Sequence, residues 1–163
     1  MAIVLAHPSL YEHTGGEPPT VADLERRYAI QVRGASADGR EVWVNAIVEL
    51  DGEPIGYVQA TIAEGGREAE VAWVIGHAWQ GRGHARAAAA LLVDELARRG
   101  VRELVAHIRP GHTASERVAA SLGMAPTDAV VDGEVRWQGR LSPRCGRRSP
   151  VPLRSAATDP GDG

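Results

Sequence analysis

A short loop leading into a long helix carries the residues with the clearest chemical character. The loop spans residues 80–83, the helix is predicted over 84–99, and no acidic residue occurs from the loop up to Asp94. Helices usually carry Asp or Glu in the first turn, because the helix dipole is positive there. Unpaired N–H groups, this dipole and the side chains of Arg82 and His84 indicate an anion site. We interpret the loop as a phosphate-binding loop.

Known phosphate motifs narrow this interpretation. The chain contains no lysine, so a Walker-type loop is excluded. A dinucleotide fingerprint needs a third glycine where this chain has Arg86. The pattern that does match is Q-x-x-G-x-A, with Gln80, Gly83 and Ala85. On composition alone, an ordinary strand–helix junction is an equally good interpretation, because glycine-rich turns are common.

The elements around the motif favour the phosphate interpretation, because together they resemble the GNAT acetyltransferase superfamily. A strand, the loop, a helix and a second strand are followed by Ser115 and a Leu-Gly-Met helix end. The resemblance covers roughly residues 41–140 and is greatest to the group of ribosomal-protein N-terminal (alanine) acetyltransferases. It implies an α/β fold with a mixed, mostly antiparallel sheet, a central parallel β-α-β crossover and helices on both faces. It also implies that acetyl-CoA is the cosubstrate and that a primary amine accepts the acetyl group.

The resemblance further implies where the cofactor binds. The strands at 71–75 and 101–108 would run parallel and splay apart, so that the pantetheine arm enters between them. Backbone N–H groups near Val74 and Ile75 would stabilise the oxyanion. The implied cofactor contacts are Trp73, Val74, Ile75, Gln80, Gly81, Arg82, Gly83, His84, Ala85, His112 and Ser115. His112 departs from the family pattern, which has asparagine at that position.

Three side chains are candidates for acid–base chemistry. His107 lies on the strand beside the expected gap, and a histidine can take a proton from an ammonium near neutral pH. Glu70 is a second candidate base, and Ser115 is a candidate for protonating the leaving thiolate. Each also has an ordinary structural interpretation: a hydrogen-bonded strand histidine, a solvated charge and a first-turn helix residue. The family's usual tyrosine acid is Ala119 here, which leaves the acid unassigned.

The remaining segments predict one domain over residues 1–140. Thr20 and Asp23 cap a predicted helix at 21–33, and an antiparallel meander follows. The other predicted elements are strands at 41–50, 55–62 and 68–75, a helix at 113–122, and a hairpin of 129–131 and 134–138. Relatives place a strand before their first helix, but here that helix begins close to Met1. Either the true start lies upstream of Met1, or the strand at 41–50 has an open edge, which favours a homodimer or a swapped strand.

Composition excludes several other classes of function. A net charge of −3 over 163 residues argues against a general nucleic-acid or membrane-surface binder. The histidines show no metal-ligand spacing, so we expect no metal. The single cysteine, Cys145, and the lack of a long apolar run favour a cytoplasmic protein. Residues 141–163 are rich in Pro, Arg, Ser and Gly and predict a disordered tail.

Two other functions fit the sequence. One is a non-catalytic acyl-CoA-binding module, because the family's asparagine and tyrosine are missing. The other is a protein-interaction domain whose loop binds a partner's phosphate or carboxylate. The sequence leaves the acceptor open among a protein N-terminus, an amino acid, a polyamine and an antibiotic.

Overall fold

The computed structural model describes residues 1–12 and 15–141 as an α/β domain built on one six-stranded sheet. Its elements are α1 (Val21–Gln31), β1 (Val42–Leu50), β2 (Glu53–Ile62), β3 (Glu68–Ile75), α2 (His84–Arg98), β4 (Glu103–Ile108), α3 (Thr113–Ser121), β5 (Ala125–Val131) and β6 (Glu134–Arg140). Two short 3-10 turns, Pro8–Tyr11 and His77–Trp79, were not predicted. None of the described helices is long and apolar enough to cross a membrane.

The strands lie in the order β1-β2-β3-β4-β6-β5. All neighbours are antiparallel except β3 and β4, which are joined through α2. This arrangement confirms the predicted fold class. β5 begins four residues earlier than predicted, and it contains Pro126. An edge strand tolerates proline, because the missing N–H leaves no central ladder bond unmade.

The core lies between the sheet and α2. The predicted stripe of Ala88, Leu92 and Leu96 is buried, and Leu92 and Leu96 are completely inaccessible to solvent. Alternate residues of β1 to β4 meet this stripe; they include Val44, Ala46, Val58, Ala60, Val71, Leu104 and Ala106. Full burial of one such leucine contributes roughly 2 kcal/mol. α2 is therefore held firmly against the sheet, with its N-terminus beyond the end of β3.

α1 lies over the other face of the sheet, which we call the α1 face. Its N-terminus has the predicted cap: the Thr20 side chain accepts a bond from the Asp23 N–H, and the Asp23 carboxylate accepts the Thr20 N–H. The predicted apolar stripe is only partly buried. Leu24 is buried, whereas Val21 and Ile30 are exposed. Arg27, Tyr28 and Gln31 of α1 line a cavity between the helix and the sheet.

The edge strand β1 and the last described residue, Leu141, can each be compared with the sequence-based prediction. β1 is an edge strand, as expected, and the Trp43 N–H points outward to the Gly34 carbonyl at 2.8 Å. At the other end, the Leu141 N–H donates to the Arg102 carbonyl at 2.8 Å and its side chain packs against the core. The domain therefore extends one residue past the predicted boundary at Arg140. The rest of the predicted tail, including Cys145, lies outside the described residues.

Candidate functional site

A gap opens between the two parallel strands. β3 and β4 pair only from Glu68 opposite Glu103 to Glu70 opposite Val105. Both strands continue past this point, β3 to Ile75 and β4 to Ile108, without pairing with each other. This opening leaves backbone groups of two central strands without ladder partners. We call it the gap.

Hydrogen-bond alternation determines which backbone groups face the gap. The Gly76 N–H donates to the Ile55 carbonyl of β2 at 2.8 Å. In an antiparallel pair, the backbone groups of successive residues point alternately towards the partner strand and away from it. The N–H and C=O groups of Val74 therefore also point to β2, whereas those of Trp73 and Ile75 point towards the gap. The Val74 N–H, which the resemblance places near the oxyanion, therefore points to β2 and not to the gap. The Ile75 N–H, named with it, does face the gap, as does the Trp73 N–H.

The loop before α2 keeps its amides uncapped. Gly83 is the N-cap residue, at φ 83°, and no side chain caps the helix. The first backbone bond of α2 runs from the Ala87 N–H to the Gly83 carbonyl, so the N–H groups of His84 and Ala85 lack helical acceptors. Open space surrounds the position that a Gly83 side chain would occupy. The left-handed backbone, rather than crowding, is what favours glycine in the free protein.

The Gln80 side chain of the loop is hydrogen-bonded within the protein, whereas the Arg82 side chain is not paired with any described residue. Gln80 donates from Nε2 to the Ile75 carbonyl at 3.0 Å, which ties the loop to the end of β3. Arg82 is exposed, and no carboxylate among the described residues pairs with it. The loop is therefore braced at one end and carries a free cation beside the uncapped amides.

His107 and Glu70 form a pair at the closed end of the gap. The distance from His107 Nδ1 to Glu70 Oε1 is 3.1 Å, and the side chains are 23% and 58% exposed respectively. Sequence reasoning treated them as alternative bases, but the structure brings them together. A carboxylate at Nδ1 favours the tautomer with its proton on that nitrogen, which leaves the Nε2 lone pair as an acceptor. The pair can therefore receive a proton at Nε2.

A second ion pair borders the first on the α1 face. Arg136 of β6 lies opposite His107 and donates to Glu68 Oε2 at 3.0 Å. This contact joins the last strands to β3 across β4. It places beside His107 an arginine that the sequence analysis did not single out.

The other residues singled out in the sequence belong to α3, its N-terminal cap and β3. Ser115 is half-buried in the first turn of α3, and His112 is the N-cap residue of that helix. Ala119 is fully buried in the core and supplies no hydroxyl. Trp73 packs against the core with its side chain, so only its backbone is available to the gap. In residues 1–12 and 15–141, no group of three His, Cys, Asp or Glu side chains is arranged to hold a metal ion.

The sequence of this chain matches a known protein family. The model of the GNAT acetyltransferase domain matches residues 1–125. The chain belongs to the GNAT acetyltransferase family. No curated protein matches it.

Solved GNAT structures share the fold. The aminoglycoside acetyltransferase AAC(6')-Ib with coenzyme A is 19% identical, with a TM-score of 0.69 over 85% of this chain and 86% of that one. Another structure of it, with acetyl-CoA, is 20% identical, with a TM-score of 0.69 over 85% of both chains. The ribosomal-protein-alanine N-acetyltransferase from Brucella melitensis is 19% identical, with a TM-score of 0.63 over 86% of this chain and 93% of that one. At such identities the likeness is one of fold and does not single out the ribosomal-protein group.

Sequence reasoning missed a cavity on the α1 face. It lies between α1 and the first two strands, and Tyr28, Trp43 and Tyr57 contribute to its wall. Burial raises the pKa of both tyrosines, so both phenols stay protonated as hydrogen-bond donors at neutral pH. The irregular apolar pattern of α1 was the one available signal, because a helix that packs over a cavity has no continuous buried stripe.

Proposed function

We propose that this GNAT domain is an N-acetyltransferase that moves an acetyl group from acetyl-CoA to a primary amine by direct attack. The proposal rests on the observation that three features lie in one region of the sheet. The gap, the uncapped amides before α2 and the His107–Glu70 pair all belong to the region where β3 and β4 part. Uncapped amides suit a pyrophosphate, and a gap between strands suits a pantetheine arm that hydrogen-bonds as a strand does.

His107 acts as the general base in this proposal. Nε2 takes a proton from the acceptor ammonium, and Glu70 holds the ring and stabilises the imidazolium that forms. The freed amine then attacks the thioester carbon. The gap-facing N–H groups of Trp73 and Ile75 stabilise the tetrahedral oxyanion. The intermediate collapses by breaking the C–S bond, and the attacking nitrogen loses its second proton, which passes through a hydroxyl or water to the leaving CoA thiolate and leaves the neutral N-acetyl product.

Protonation of the thiolate is assigned to Ser115 or to water. Ser115 begins α3 at the open end of the gap, where the sulfur of a cofactor entering from the α2 loop would lie. Ala119 provides no phenol for this step. Because a CoA thiolate is a moderate base, the step does not require a strong acid.

An acceptor screen tests the function. The full chain is incubated with acetyl-CoA and separate panels of amino acids, polyamines, aminoglycosides and peptides. CoA thiol release and the acetylated product are both measured, and acetyl-CoA binding is followed by calorimetry. We expect saturable turnover with at least one class. Tight acetyl-CoA binding without product in any panel would indicate a non-catalytic module, and failure to bind acetyl-CoA would favour an anion-binding interaction domain.

A further inference from the structure

A cavity of about 390 Å³ lies between α1 and the first two strands, beside the proposed gap. On β2, Tyr57 lies opposite Val74 and Gln59 lies opposite Ala72, so the cavity is one strand away from the gap. Antiparallel neighbours put these side chains on the α1 face, which is also the face of the His107–Glu70 pair. Two strand spacings, about 10 Å, separate β2 from β4, so a molecule anchored in the cavity meets the proposed base only if its amine lies at the far end of an extended chain that crosses β3.

The cavity wall contains polar groups without protein partners. The Tyr28 hydroxyl is buried and has no hydrogen-bond partner among the described residues. The Asn45 and Gln59 amides line the same space, and neither side chain makes a hydrogen bond to another described residue. A buried, unsatisfied hydroxyl costs free energy, so it is expected to meet a ligand or water. The wall is thus suited to a polar guest.

The charged side chain in the described cavity wall is positive. Arg27 lines the cavity, while no Asp or Glu of the part of the chain that the structure describes does so. Burial raises the pKa of Tyr11, Tyr28 and Tyr57, and the nearby Arg27 charge partly offsets this effect at each one. The guanidinium therefore lies near all three phenols. Within residues 1–12 and 15–141 it forms no ion pair.

These observations point to an anionic guest of modest size. A guanidinium binds a carboxylate through two parallel hydrogen bonds, and the neutral donors around it can complete the contact. A polycation would meet Arg27 with no carboxylate in the wall to compensate. The volume is at the small end of the range for ligand sites, which fits a molecule the size of an amino acid.

We propose that the cavity binds the acceptor and that the acceptor is a small primary amine carrying a carboxylate, such as an amino acid. The inference rests on the proposed acetyl transfer. Arg27 holds the carboxylate, while Asn45, Gln59 and the Tyr28 hydroxyl bind the polar atoms beside it. The amine extends over β3, loses a proton to His107 and attacks the thioester. The products are an N-acetylated acid and CoA.

Matched acceptor pairs test the proposal. Lysine and 1,5-diaminopentane, and 6-aminohexanoate and pentylamine, differ only in the carboxylate, and both acids carry an amine at the far end of the chain. At saturating acetyl-CoA we expect the acid of at least one pair to be favoured in kcat/KM by about tenfold or more. Arg27→Gln should abolish that preference, mainly through KM, with acetyl-CoA affinity unchanged. Arg26→Gln is the matched control, because Arg26 is exposed and pairs with Asp23 instead.

A binding assay separates this proposal from the proposed function. Trp43 lines the cavity, so its fluorescence reports occupancy in the absence of turnover. The same four probes are titrated into the wild type, Arg27→Gln and Tyr28→Phe. We expect an acid to bind, Arg27→Gln to weaken it about tenfold, and Tyr28→Phe to weaken it while raising the melting temperature of the free protein. Equal or tighter binding of the two amines that lack the carboxylate, or equal binding of the acids by Arg27→Gln and the wild type, would overturn the proposal even if acetyl transfer is real. Acid binding without turnover would support the cavity and count against the proposed function.

Discussion

His107 and Glu70 have unequal surroundings, and this difference assigns their roles. His107 is the more buried of the two and its backbone also faces the gap, whereas more than half of the Glu70 side chain is in solvent. A base must reach the acceptor, while an orienting carboxylate need only hold the ring. We therefore assign proton transfer to His107 and positioning to Glu70.

Replacing Glu70 tests the positioning role. Glu70→Gln keeps the size and one acceptor oxygen but removes the charge that stabilises the imidazolium. We expect kcat to fall roughly tenfold, by analogy with partners that orient an active imidazole, and acetyl-CoA affinity to stay the same. Glu64→Gln, in the exposed turn before β3, is the control. A fall in kcat as large as that of His107→Gln would indicate that Glu70 is the base. An unchanged kcat would show that His107 does not need Glu70 to hold it.

At this scale the sequence predicted single residues but not their contacts. His107 and Glu70 were both found because each lies on a strand beside the implied gap. Their contact joins residues 37 positions apart, and it depends on the register of two parallel strands that the sequence does not reveal. Arg27 and Tyr28 were missed because their importance comes from a cavity, and a cavity leaves no periodic pattern.

The start of α2 is the element on which the proposed cofactor binding depends. Gly83→Val should weaken acetyl-CoA binding by at least tenfold, because valine strongly disfavours the left-handed backbone that aims the loop amides at one point. Calorimetry measures the affinity. Gly39→Val is the matched control, since Gly39 has φ 72°, equally open surroundings and a position far from the loop in sequence. An affinity for Gly83→Val equal to that of the control would count against the loop as the phosphate site.

The outer edge of β1 is the element that can recruit a second copy. Trp43 uses its outward N–H within the chain, and by alternation Asn45 and Ile47 also point outward. Neither has an outward partner among the described residues. We expect concentration-dependent dimers in light scattering and their loss in Ile47→Pro, which removes one outward N–H without removing a bond to β2. A monomer at millimolar concentration would contradict this expectation.

Element positions followed well from the sequence, whereas the direction of individual amides did not. Caps, glycine turns and apolar runs located the helices and strands to within a few residues, because these are local signals. Val74 was given the wrong direction because a one-residue change in register exchanges inward and outward groups. Only the paired structure of β2 and β3 determines that choice.

Leu141 is the last described residue, and its contacts with Arg102 and the core make it part of the domain. We expect a chain ending after Leu141 to melt within about 3 °C of full length and to bind acetyl-CoA equally well. A chain ending at Arg140 should melt lower, because it loses the bond to Arg102 and an apolar contact with the core. Differential scanning calorimetry compares the three chains. A large drop in melting temperature for the chain that ends after Leu141 would show that residues beyond Leu141 contribute to stability.

The central claim for the molecule is that one domain binds acetyl-CoA at the gap and removes the acceptor's proton through His107. The most direct test is the steady-state rate of His107→Gln at about pH 6 to 9, with acetyl-CoA affinity measured in parallel. We predict a fall in kcat on the order of a hundredfold or more with affinity nearly unchanged. Activity equal to wild type across that range would contradict the account and return His107 to a structural role.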